Sequence, residues 1–125
     1  FRKGKISYKS RDHSVVQVLL DMKEITEAEV RGHPDRHRLL KALGMKDELE
    51  VKIFREDLTS GDHILLCTDG FWEYFPDQEL NEFFIKYPEL PTPEKIDALF
   101  KKAKKRGKKA DKKHDNLTLQ LIQVK

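Results

Sequence analysis

The chain has 125 residues, 38% of them apolar and 38% charged, against about 45–50% and about 25% in an ordinary globular domain. That leaves room for one small domain, residues 1–125, with a modest core. There is no repeat of solenoid length and no apolar run near the roughly 18 residues of a membrane span. The net charge of +3 joins two unlike parts, because positions 101–114 carry a net +8 and the rest −5; a uniformly basic nucleic-acid binder is thereby excluded. The single cysteine, Cys67, excludes an internal disulfide and fits a reducing compartment. With no signal-peptide shape at Phe1-Arg2-Lys3-Gly4, the expected location is cytoplasmic.

In chain order, Arg2-Lys3-Gly4-Lys5 reads as a turn. The weak alternation of Ile6 to Lys9 then suggests the tail of a hairpin whose first strand is not present. Asp12 or Ser14 can cap a helix carrying Val15, Val16, Leu19 and Met22. A second helix begins at Thr26, with Glu29 at capping-box spacing, and His33-Pro34 ends it. Asp35 to Leu43 reads as a third helix closed by Gly44. Glu50 to Arg55 alternates as a half-buried strand would.

Leu58 to Asp62 is turn chemistry. His63 to Thr68 is nearly continuous apolar sequence and predicts a central strand buried on both faces, with Cys67 as a small buried filler. Helices follow from Asp77 (Leu80, Phe83, Phe84) and from Thr92 with Pro93 at its first position. The second shows the clearest stripe, Ile96, Leu99, Phe100 and Ala103, and its end runs into the basic helix end and loop of 101–114. Leu117, Leu119 and Leu121 mark a last strand. The expected class is α+β with a mostly antiparallel sheet.

Asp69-Gly70 directly follows the apolar strand, and Asp115-Asn116 directly precedes the last one. If these strands are antiparallel neighbours, two carboxylates meet at one sheet edge. That arrangement suits a hard cation such as Mg²⁺ or Mn²⁺. Spacing alone also allows ordinary turn punctuation at Asp69 and a loop cap at Asp115.

The words around them resemble the metal-dependent type 2C (PPM) Ser/Thr protein phosphatases. Leu58-x-x-Gly61-Asp62-x-x-Leu65-Leu66-x-Thr68-Asp69-Gly70-Phe71-Trp72-Glu73 and Asp115-Asn116-Leu117-Thr118 are similar to that family's C-terminal motifs. Asp12-His13-Ser14, Gly32-His33-Pro34-Asp35-Arg36 and Ala42-Leu43-Gly44 fall in the same order. The resemblance implies a part of a four-layered αββα sandwich with mostly antiparallel sheets flanked by helices. It places Asp69 and Asp115 as metal-binding aspartates of a binuclear Mg²⁺ or Mn²⁺ centre acting on phosphoserine or phosphothreonine proteins. Glu73 stands where some members carry an acid near the metals, whereas His37 replaces a frequent Asn.

The family's phosphate-binding Arg and its Asp-Gly-His-Gly-Gly loop, with the proton-donating His, have no counterpart here. The resemblance therefore implies the C-terminal half of a catalytic domain, no catalytic residue in this chain, and a missing N-terminal half as partner. Such a chain alone is expected to be inactive and to bind Mn²⁺ weakly or not at all. Lys112, Lys113 and His114 could steer an anionic substrate, and the lack of interleaved aromatics argues against nucleic acid. The alternative is a non-catalytic phosphatase-like interaction module that binds a partner, or that forms a homodimer by strand pairing. His13 and His33 are read as backbone-bonding residues at helix boundaries, Asp62 as an Asx-turn residue, and Phe71 and Trp72 as packing residues.

Overall fold

Side-chain caps mark the starts of two short helices and alternation marks the strands, and the chain divides into two units. The computed structural model describes residues 1–45, 51, 53–109 and 116–125. One unit is Lys9–Glu56; the other joins Phe1–Tyr8 to Asp57–Lys125.

In the first unit, α1 spans Val15–Asp21 and α2 spans Glu27–Val30. Ser14 caps α1, its hydroxyl accepting from the Gln17 N–H at 3.3 Å, which satisfies a donor the helix itself cannot. At α2 the Glu29 carboxylate accepts from the Thr26 N–H at 2.7 Å and from the Thr26 hydroxyl at 2.8 Å. These bonds hold the Glu29 carboxyl below its ordinary pKa. His33 behaves as expected, its Nδ1 accepting from the Asp35 N–H at 3.1 Å.

The helix expected over Asp35 to Leu43 is absent; turns occupy that stretch. Its backbone donors and acceptors go elsewhere. Val15 N–H donates to Arg38 O at 3.0 Å and Leu40 N–H to His13 O at 2.7 Å, forming a bridge between Ser14 and Leu39. A helix would have to give up those long-range bonds, so tertiary pairing overrides local propensity. The strand expected over Glu50 to Arg55 is also not seen: Val51 and residues 53–55 have no regular structure, while 50 and 52 lie outside the described residues.

The second unit holds β1 (His63–Cys67), α3 (Asp69–Trp72), α4 (Asp77–Lys86), α5 (Thr92–Lys109) and β2 (Leu119–Gln123). β1 and β2 pair antiparallel, with Leu65 opposite Leu121 and Cys67 opposite Leu119. Phe71, Phe75, Leu80, Phe84, Leu99, Ala103 and Leu121 form the core. Phe71 and Phe75 stack with centroids 4.8 Å apart, and Trp72 packs partly buried against the cluster. The packing role expected of Phe71 and Trp72 is what the structure shows. Arg106 of α5 bonds Glu79 of α4 at 3.0 Å and also the Tyr74 carbonyl, while Lys102 pairs with the same carboxylate.

β1 is not buried on both faces. Leu66 is 52% exposed, Ile122 is 42% exposed, and Cys67 is exposed rather than a buried filler. Side chains alternate across a strand, so the face carrying Leu65 and Leu121 joins the core while that of Leu66 and Ile122 has no cover among the described residues. At the other end of β1, Phe1 and His63 exchange both backbone hydrogen bonds, at 2.6 and 2.9 Å. That exchange is the mark of an antiparallel pair.

Candidate metal centre at the β1–β2 edge

The site grows from the point where β1 stops. Thr68 N–H still donates to Thr118 O at 3.1 Å, continuing the ladder. The Thr68 carbonyl instead accepts from Phe71 N–H at 3.0 Å and Trp72 N–H at 3.3 Å, so it belongs to the first turn of α3. Strand and helix are thus joined with no loop between them. Asp69, the first residue of α3, is exposed at the sheet edge, and its Oδ1 accepts from the Gly70 N–H at 2.8 Å.

One turn further on, Glu73 N–H donates to Asp69 O at 3.0 Å. The side chains at these two positions share a helix face, and carboxylate oxygens of Asp69 and Glu73 lie within 4.8 Å of each other. Two hard oxygen donors at that separation, Asp69 exposed and Glu73 half-buried, suit a divalent cation of the Mg²⁺ or Mn²⁺ type, which keeps much of its water. The donor set fits.

From the opposite strand, Asn116 reaches the same edge, its carbonyl accepting from the Thr68 hydroxyl at 2.9 Å. The expected juxtaposition of the end of β1 with the start of β2 is therefore present as far as Asn116. Asp115, Lys112, Lys113 and His114 lie outside the described residues. Asp62 sits at the far end of β1, where its carboxylate accepts from the Thr59 N–H at 2.9 Å in the expected turn. It also pairs with Arg2 at 2.8 Å, a contact that sequence spacing gave no means of finding. Thr68 was likewise not singled out, although it immediately precedes the Asp-Gly word.

A sequence model of the stage II sporulation protein E (SpoIIE) family matches residues 2–125. The chain belongs to this SpoIIE, type 2C-like phosphatase family. Among relatives of this SpoIIE-family chain, the serine/threonine phosphatase stp of Listeria monocytogenes is 33% identical over 114 residues, covering 91% of this chain and 42% of that protein. The protein phosphatase PhpP of Streptococcus pneumoniae is 29% identical, covering 90% of this chain and 43% of that one.

Solved structures agree. The serine/threonine phosphatase Stp1 from Staphylococcus aureus superposes with a TM-score of 0.85 at 27% identity, over 100% of this chain and 46% of that one. The Mycobacterium tuberculosis phosphatase PstP/Ppp gives 0.78 at 27% identity, over 98% of this chain and 48% of that one. The SpoIIE-family chain thus spans less than half the length of the curated relatives it matches. Its mixed helix and strand fold is that of the PPM phosphatases.

Proposed function

We propose that this chain is the C-terminal half of a metal-dependent protein serine/threonine phosphatase domain, acting on phosphoserine and phosphothreonine proteins. The observation that carries the reading is the antiparallel β1–β2 pair, which brings Asp69 to the edge where Asn116 enters. Asp69, Asp115 next to Asn116, and Glu73 would hold Mg²⁺ or Mn²⁺. When bound, such a cation lowers the pKa of coordinated water and offsets charge on a phosphoryl group. The chain's own contribution is to hold carboxylates at a rigid strand–helix junction, with Lys112, Lys113 and His114 drawing the anionic substrate toward them.

The remaining metal ligands, the phosphate-binding Arg and the proton donor would come from a segment corresponding to the rest of the relatives' length. The Phe1–His63 exchange supports a second neighbour for β1, and so a wider antiparallel sheet of the kind the αββα sandwich would need, since it starts an antiparallel pair on β1 apart from β2. No described helix is long and apolar enough to cross a membrane, and a cytoplasmic location belongs to the same proposal. Alone, the chain is inactive and binds Mn²⁺ weakly, because its own carboxylates cannot assemble a binuclear centre without the remaining ligands.

The test is hydrolysis of a phosphothreonine peptide in Mn²⁺ by the 125-residue chain, with and without the completing segment. Activity is expected only with the segment, and only while Asp69 and Asp115 are intact. Appreciable metal-dependent turnover by the chain alone would overturn the half-domain reading. A second reading, the non-catalytic module that self-associates or binds a partner, draws on the exposed Leu66–Ile122 face. It predicts that the completed protein stays inactive.

A further inference from the structure

We propose that Thr68 is a positioning residue for the metal centre, and that its hydroxyl clamps the Asp69 turn to the segment that leads from Asn116 into β2. This rests on the metal-centre reading above and names a residue that reading does not use. Three observations carry it.

Thr68 occupies the N-cap of α3, where a threonine hydroxyl ordinarily accepts from the next turn of its own helix. It makes no such bond here. Asp69 accepts from Gly70 itself, which leaves the hydroxyl for another partner. The hydroxyl points across the sheet, accepting from Thr118 N–H at 3.1 Å and donating to Asn116 O at 2.9 Å.

The reason lies in the switch from strand to helix. In a continuing antiparallel pair the Thr118 N–H would donate to the Thr68 carbonyl, but that carbonyl is taken by Phe71 and Trp72. The side-chain oxygen replaces it and extends the ladder by one step. Without it, Thr118 N–H loses the acceptor that stands in for the Thr68 carbonyl, and Asn116 O loses the Thr68 donor, beside the point where Asp69 begins α3. Groups that orient ligating side chains commonly change metal affinity about 10–100-fold when removed. Only a side chain with both a donor and an acceptor on Cβ can do this, so serine should substitute and valine should not.

The experiment uses the full 125-residue chain, ¹⁵N-labelled, titrated with Mn²⁺ into the millimolar range while amide line broadening is followed. In the parent chain, Gly70 and Asn116 signals are expected to broaden together. In Thr68→Val the Asn116 response should need about tenfold more Mn²⁺, with Thr118 amide exchange accelerated and the Phe71 and Leu121 shifts unchanged. Thr68→Ser should restore both responses. Asp69→Asn is the control, expected to abolish the broadening. If it does, and Thr68→Val titrates like the parent, the positioning role is overturned and the metal reading stands. If the parent shows no broadening at Gly70, or Asp69→Asn does not alter it, the chain alone holds no ion at Asp69 and this role is overturned, while the metal reading of the completed domain is decided by the hydrolysis test above. Should Thr68→Val not fold, Thr68→Ala is read by the same criteria.

Discussion

Lys95 Nζ lies 2.9 Å from His63 Nε2, and both side chains are buried, Lys95 completely. The ammonium also donates to Pro88 O at 2.8 Å. If Lys95 is charged, His63 Nε2 must be the acceptor, so the imidazole is neutral with its proton on Nδ1. Burial lowers the His63 pKa below 6.5, and the Lys95 charge adds to the effect. Burial likewise lowers the Lys95 pKa below 10.5, against an opposing pull from Glu89.

A depressed histidine pKa means that the unfolded chain takes up protons first. Stability is therefore present above pH 6.5 and lost as pH falls through that value toward the folded pKa. The other charges near His63 are the Phe1 amino group, which adds to the lowering, and Asp62, which opposes it. Urea unfolding between about pH 5 and 8 should show this acid limb, and His63→Gln should flatten it. His63→Leu should cost about 1–3 kcal/mol at neutral pH, because Lys95 loses one of its buried hydrogen-bond partners. An equal slope in parent and His63→Gln would show that His63 does not titrate as derived.

Asp62 dominates at lower pH. It is 4% exposed, and Arg2 grips it at 2.8 and 3.2 Å while also donating to the Asp57 carbonyl at 2.7 Å. The Arg2 guanidinium, and after it the Thr59 N–H, hold the Asp62 carboxyl far below the ordinary carboxylate range. A depressed acid contributes stability above its unfolded value of 3.8 and loses it as pH falls from there. Asp62→Asn keeps an acceptor for Thr59 but removes the charge. It should lower stability at neutral pH and leave a shallower decline in acid, read by thermal unfolding across that range. An unchanged acid profile would mean the ion pair adds nothing.

The turn at Lys3-Gly4 gives a steric prediction. Lys3 and Gly4 have φ of 49° and 75°, the two positive values of a type I′ hairpin turn, and Arg2 and Lys5 close it at 2.8 and 3.0 Å. A Cβ on Gly4 would stand 2.8 Å from the Ile85 backbone nitrogen and 2.9 Å from its Cα. Helix backbone cannot yield as a side chain can. Gly4→Ala should therefore cost about 1–3 kcal/mol from positive φ and displacement together, whereas Gly61→Ala, with φ 89° and open space around it, should show only the conformational part. The pair is compared by urea unfolding, and equal losses would remove the steric argument.

The elements legible in the sequence were those whose causes are local. Ser14 and Thr26 mark helix starts because capping needs only residues three positions apart, and Leu117, Leu119 and Leu121 mark a strand by their own alternation. The segment 35–43 was not legible, since its bonds go to His13–Val15, which nothing near it reveals. Lys95 was missed for a related reason: a lysine beside an apolar stripe reads as solvent-facing, and only a histidine from another element makes its burial tolerable. At the site, Asp69 stood out through the words around it. Thr68 did not, because its role depends on which carbonyl the helix has already taken.

The exposed sheet face separates a property of this chain from a property of the completed domain. Leu66 and Ile122 lie on the strand face away from the core, exposed in the chain alone. Leu66→Thr and Ile122→Thr each leave a β-branched side chain that suits a strand, and each should change the isolated chain's stability by no more than about 0.5 kcal/mol. If a second layer packs there in the sandwich, the same changes leave a polar group without a partner, and each should cost about 2 kcal/mol or more in the completed domain. Urea unfolding of both forms checks this. Equal small effects in the two would mean that this face stays in water, and the sandwich would have to be built from a different surface of β1 and β2.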